Sequence, residues 1–396
     1  MPQLEPHGNP GDPYRIFFPL GILMGIAGVS IWPLYYWGAI GGYNGRSHAF
    51  VQTDCFLYAF IVGFLWTALP RFAGTSIPSR ASQYFVACLL VAAVVAFEFQ
   101  YFRVGHVIFV AVHAMVIAVA ARRFIRRQHP PPETFVLVGF GLLSGMVGAI
   151  LAAGVAWELV PLGLDVLGRR LLTEGMVLLL VLGIGGFLGP RLLGFAQLPN
   201  FQNLEKLSGN TKPSFAMMKH RQTIYAIAAM LLLLSIVVEY GWSLPAVAWL
   251  RAGIGTSLIL LNIQPWRKPA TRTTLSWCVW IAHWLLITAL WMVVIVPKYR
   301  IDFLHIMFMG AFTLLILAVG TRVVLSHGGH GLGEESRSWP LRIGIITVII
   351  AMFARIAAPF VPLSYFSHLA WAGVLWIGGI GIWGVSLFRR IRGTAG

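Results

Sequence analysis

The chain has 396 residues, of which 58% are hydrophobic and only 11% charged, with a formal net charge of +16. A soluble domain is nearer a quarter charged, so a globular enzyme on one membrane anchor is excluded. The basic residues cluster at the ends of apolar stretches, which is membrane topology rather than a nucleic-acid surface; lipid is the expected partner and nucleic acid is not.

The first residues, 1–15, are polar and rich in Pro and Gly, with no basic region leading into a short apolar core and a cleavage site. No cleaved signal peptide is expected. A membrane span needs about 20 apolar residues. Such segments run over 16–37, 51–70, 82–99, 103–121, 134–154, 171–190, 222–240, 244–263, 276–296, 302–325, 341–360 and 366–388. The expected fold is all-α, a polytopic membrane protein of about twelve transmembrane helices in a single integral domain, 1–396. Residues 1–15 form a tail, 16–190 the first six helices, 191–221 a polar basic loop, and 222–388 the last six helices. Clusters such as Arg122, Arg123, Arg126 and Arg127, or Arg389, Arg390 and Arg392, follow even-numbered spans, whereas the loops after odd spans are poor in Lys and Arg. By the positive-inside rule both termini are cytoplasmic. The three cysteines, Cys55, Cys88 and Cys278, lie scattered in apolar segments. They read as small buried hydrophobes and not as a disulfide framework or metal site.

Spans 2, 6 and 10 end alike. GFLWTALPRFAG (63–74), GGFLGPRLLGF (185–195) and GTRVVLSHGG (320–329) each carry an Arg at one boundary: Arg71, Arg191 and Arg322. Membrane helices commonly end this way. The spacing of four spans also fits three four-helix units around a pseudo-threefold axis. Internal repeats occur in transport folds and in the twelve-span catalytic subunit of heme–copper oxidases.

Ionisable groups inside a membrane are costly and therefore functional candidates. His48, His106, His305 and His368 fall near the outer ends of spans, His113 and His283 lie deeper, and His220, His327 and His330 lie on the cytoplasmic side. Imidazole ligates metals and heme iron, and two histidines at one depth on different helices suit a heme. His48 opens span 2 and His305 opens span 10, with Asp302 one turn above His305 as an expected second-shell acceptor and Met309 one turn below. Asp54 and Glu174 are expected to carry protons or to pair with Arg251 or Arg355; those two arginines suit heme propionates equally well.

These residues resemble the NnrS family of bacterial membrane proteins over most of the chain. His48-Ala49 followed by GFLWTALPRFAG is similar to that family's HAHEM and GFLLTAVPNWTG segments. The end of span 6, the stretch NIQPWRKP (262–269) leading to His283, and His305 followed by GTRVVLSHGG carry the rest. The resemblance implies a heme- and copper-containing inner-membrane protein linked to nitric oxide metabolism and nitrosative stress in denitrifying bacteria. The carried-over ligands are His48, His283, His305 and His327, with His113 a further metal candidate. The family's second histidine and its glutamate fall on Phe50 and Val51. The expected function is binding or reduction of nitric oxide, or electron transfer, at an outer-side heme b, with copper as a second metal and an electron donor as partner. A transporter without a redox centre and an assembly factor for a metalloenzyme are the alternatives.

Overall fold

The computed structural model describes residues 9–196, 215–242, 244–329 and 333–393. Among these residues twelve helices are long and apolar enough to cross a membrane. They are α1 (Tyr14–Tyr36), α2 (Gly45–Ala73), α3 (Arg80–Glu98), α4 (Phe102–Ile125), α5 (Phe135–Ala156), α6 (Leu164–Leu192), α7 (Lys219–Trp242), α8 (Ala246–Ile263), α9 (Thr274–Ile295), α10 (Pro297–His327), α11 (Trp339–Phe360) and α12 (Pro362–Ile391). No strand occurs among the described residues. The chain is an all-α, multi-pass membrane protein. Its outward-facing side chains fit that medium: Leu23, Phe85, Leu143 and Phe353 are all exposed, which water would penalise and lipid does not. Trp37, Trp157, Trp242 and Trp339 are exposed at helix ends, where an amphipathic ring suits a membrane interface. Cys55 and Cys278 are buried as expected, but Cys88 lies exposed on α3, because the apolar stretch around it faces outward as well as inward.

Polar caps start several helices beyond their apolar cores. Asn44 accepts from the backbone N–H of Arg46 at 2.9 Å, and Thr273 from that of Ser276 at 3.1 Å, satisfying donors that a helix start otherwise leaves orphaned. As a result α2 begins at Gly45 rather than near 51, and His48 sits inside the helix instead of at its mouth.

Helices α2, α6 and α10 share a feature that no sequence pattern announces. Each contains a seven-residue π-helical turn: Val51–Leu57, Leu171–Val177 and Ile306–Phe312. Such turns widen the helix and are frequent at functional sites. In α2 and α6 the third residue is a threonine whose hydroxyl donates to the carbonyl four residues back, Thr53 to Ala49 at 2.9 Å and Thr173 to Arg169 at 2.8 Å. The preceding helix packs on each widened turn: α1 on that of α2, α5 on that of α6, α9 on that of α10. Glycine permits the first two approaches. A Cβ on Gly28 would stand 2.7 Å from Val51 Cγ1, and one on Gly148 would stand 2.7 Å from the Gly168 carbonyl. The four-span period seen in the helix ends therefore recurs in backbone geometry.

The chain forms two compact units. One contains α1, most of α2, α3, α4 and α9–α12; the other contains α5–α8 with the short segment Arg71–Thr75. The basic loop after α6 joins two helices of the same unit. In the first unit a column of aromatic contacts, Phe17 on Trp66, Phe18 on Phe60 and Phe56 on Trp376, ties α1, α2 and α12 together.

Candidate functional site

In the larger unit, α2 and α10 bring His48 and His305 to the same end. His48 Nδ1 lies 2.8 Å from the Gly28 carbonyl of α1, and its ring meets the edge of Trp32 at 5.4 Å. His305 is the last residue before the π turn of α10, and its Nδ1 lies 2.7 Å from the Ile301 carbonyl. A carbonyl only accepts, so each Nδ1 carries the hydrogen and each Nε2 keeps its lone pair. Neither Nε2 has a partner among the described residues, and both histidines are only half-buried. The two imidazoles lie within electrostatic range of one another, and Arg355 lies within range of both. Its guanidinium is held by Asp302 at 2.7 Å. The pair of bare nitrogens, each fixed through its other nitrogen, is the arrangement that metal-ligating histidines share.

A family model described as NnrS protein matches residues 11–392. The chain belongs to the NnrS family. It is thus a nitric-oxide-related membrane protein at the level of its family. A comparison with curated proteins finds no match.

Within this NnrS chain the other predicted residues lie apart from the pair. His327 ends α10 against the Tyr14 ring, 6.2 Å away. It is separated from His305 by 22 helical positions, roughly 33 Å at 1.5 Å per residue, so the two cannot share a centre. His283 is buried in α9, its Nδ1 2.7 Å from the Val279 carbonyl and its Nε2 without a partner. His113 is buried in α4 against the rings of Tyr58 and Phe109. His330 lies outside the described residues. Among the described residues no group of three or more His, Cys, Asp or Glu is placed to hold a metal ion. Phe50, at the position of the family's second histidine, packs its ring on His106 at 4.5 Å and on Phe97 at 5.2 Å. That corner is apolar and filled.

The expected partners of Asp302 and Arg251 change. Asp302 does not orient His305; it holds Arg355, and the helix's own Ile301 carbonyl orients the ring. Arg251 is buried in the smaller unit and engaged by Glu174 at 3.3 Å, by Glu239 at 2.5 Å and by the Ser235 hydroxyl at 3.3 Å. Arg170 adds a second cation on Glu239 at 3.0 Å. Pairing with Glu174 was legible from the sequence as a possibility; the roles of Glu239, Ser235 and Arg170 were not, because they sit on α6 and α7 at positions only the packing brings together. His368, on α12, has its Nδ1 2.9 Å from the Ser364 carbonyl. It repeats the pinned geometry near the start of a third even-numbered helix, at the outer depth where the sequence already placed it beside His48 and His305.

Proposed function

We propose that this protein is a heme-binding protein of the bacterial inner membrane that binds or reduces nitric oxide, or passes electrons, where α2 and α10 begin. The observation that carries the reading is the His48–His305 pair, each with Nδ1 committed to a carbonyl and Nε2 bare. By the distribution of basic loops this side faces outward.

The residues fit a heme. The group brings four equatorial nitrogens of its own, so one or two protein imidazoles suffice. When bound, heme b would supply an iron able to take a diatomic ligand or to cycle by one electron. His48 would orient its ligand nitrogen through Gly28 and shield it with Trp32. His305 would be aimed from the opposite helix by Ile301. Arg355 gives one donor to Asp302 and keeps others for an anionic group such as a propionate. A copper ion needing three or more protein donors does not fit the described residues, and no step is assigned to it. A soluble or membrane electron donor on the outer face is the partner this reading calls for.

Protein purified from heme-replete cells should show a Soret band and stoichiometric iron. His48→Ala and His305→Ala should each shift or abolish the band, and nitric oxide should shift it in the wild type. Colourless, iron-free wild-type protein would refute the proposal.

A further inference from the structure

The π turns of α2 and α6 each carry a threonine followed by an acid at their third and fourth positions, Thr53-Asp54 and Thr173-Glu174. In α10 the equivalent residues are Phe308-Met309. The two acids meet different surroundings. Glu174 is paired with Arg251. Asp54 is fully buried, and among the described residues it forms no ion pair and its Oδ2 has no hydrogen-bond partner. Its polar contact among them is Thr53, whose Oγ1 lies 2.8 Å from Asp54 Oδ1 and 2.9 Å from the Ala49 carbonyl.

Counting hydrogens gives the state of that carboxyl. Thr53 has one hydroxyl hydrogen and two acceptors within reach. If Asp54 is ionised, one acceptor goes short, and a charge stands in the interior with no paired cation among the described residues, which burial penalises. If Asp54 carries a proton, it donates to Thr53 Oγ1 while Thr53 donates to Ala49, and the set closes. Among the described residues no Lys or Arg is paired with Asp54. Cys55 and Tyr58 of α2 lie within electrostatic range of Asp54, and Tyr58 Oη is itself buried without a partner. From α3, Glu98 lies within range of Cys55 and turns one carboxyl oxygen inward without a partner, while the residue as a whole is half-buried. From α4, His106 and His113 meet the rings of Phe50 and Tyr58. Helix α1 has no ionisable side chain between Arg15 and Tyr35; the short start of α2 adds Arg46 and His48, and α12 meets α2 through Trp376.

We propose that Asp54 is a proton-binding site of the membrane interior, loaded from the membrane surface through Glu98. The transfer is simple in balance: a proton leaves the Glu98 carboxyl, directly or over an intervening water, and is taken by the Asp54 carboxylate, with no bond to carbon made or broken. Among the described residues no group of three or more His, Cys, Asp or Glu is placed there to hold a metal ion; the proton is the ligand that the Thr53–Asp54 hydrogen count calls for. His48 turns to Gly28 and Trp32 of α1, whereas the neighbours of Asp54 turn to α3 and α4. The site is therefore independent of whatever the histidine pair holds.

The test is infrared difference spectroscopy of the full-length protein in lipid nanodiscs, across a pH titration and on transfer to heavy water. Wild-type protein should show a titrating band of a protonated carboxyl that shifts in heavy water. Asp54→Asn should remove it, Asp54→Glu should move it without loss, and Glu174→Gln should leave it in place. Glu98→Gln should keep the band but slow its hydrogen exchange by roughly a hundredfold, the lower end of what a positioned acid–base group contributes. A wild-type spectrum with no carboxyl band that Asp54→Asn removes would overturn the site. An exchange rate indifferent to Glu98→Gln would overturn the route. Size-exclusion profiles of the isosteric Asp54→Asn and of Asp54→Glu separate loss of the band from loss of the fold.

Discussion

Replacing Arg251 by Leu tests how the α6–α8 unit is held together. The guanidinium is buried, with 3% of its side chain exposed, against Glu174 at 6% and Glu239 at 14%. The substitution removes both of its ion pairs and the Ser235 bond, while Glu239 keeps Arg170 at 3.0 Å. Breaking a buried pair from one side costs about 3–5 kcal/mol, because the partner charge is left behind; the surviving Arg170 contact places this case toward the lower figure. A cost of about 3 kcal/mol corresponds to a loss of roughly 10 °C in the unfolding midpoint for a unit of this size. The assay is thermal unfolding in a mild detergent at matched protein concentration. The double variant Arg251→Leu/Glu174→Gln removes the stranded charge as well and should recover at least about 1 kcal/mol of the loss, a coupling expected of groups in one network. If Arg251→Leu costs under about 1 kcal/mol, the pair is behaving as a solvent-screened surface contact. If the double variant is as unstable as the two single losses added, the groups are not coupled. Either result refutes the buried network.

Two further outcomes are expected. Gly28→Val places a branched side chain where a Cβ would already stand 2.7 Å from Val51 Cγ1 and 2.8 Å from Gln52 Nε2. It should cost about 1–3 kcal/mol by overpacking and, by shifting the carbonyl that holds His48, should weaken the Soret band more than Gly253→Ala, which has open space around it. Glu335, in the loop between α10 and α11, has its carboxyl pushed up by burial, with Arg322 pulling the other way at 2.6 Å. A raised folded-state value stabilises the fold fully below the unfolded range near 4.5 and loses that contribution as pH rises through the folded value. Unfolding midpoints measured between mildly acidic and neutral pH should therefore fall with rising pH from this group, and Glu335→Gln should flatten that slope; an unchanged slope would show that Glu335 is not its source.

Much of the site's outline is legible from the chain. His48 and His305 stand out because they share a depth on different helices and both fall in the segments that resemble the family, and the structure brings them within electrostatic range of each other. What orients them is not legible. Gly28 O belongs to another helix, and the use of Ile301 O depends on the turn of α10 in which His305 lies. Asp302 looks like an orienting acid by spacing along α10, yet it goes to Arg355 of α11, which no one-helix pattern reveals. The contrast between Asp54 and Glu174 is likewise invisible along the chain. Each is an acid after a threonine, and only the presence of Arg251 beside one of them separates a compensated charge from a proton site.

The sequence by itself determined the medium and the secondary structure. Twelve apolar stretches of sufficient length can satisfy their backbone groups within lipid only as helices. Tertiary structure decided the π turns, the division into α5–α8 and the remaining helices, and the partner of every buried charge. Those depend on which helix faces meet and how closely a glycine lets them approach. Periodicity along one helix carries no record of that choice.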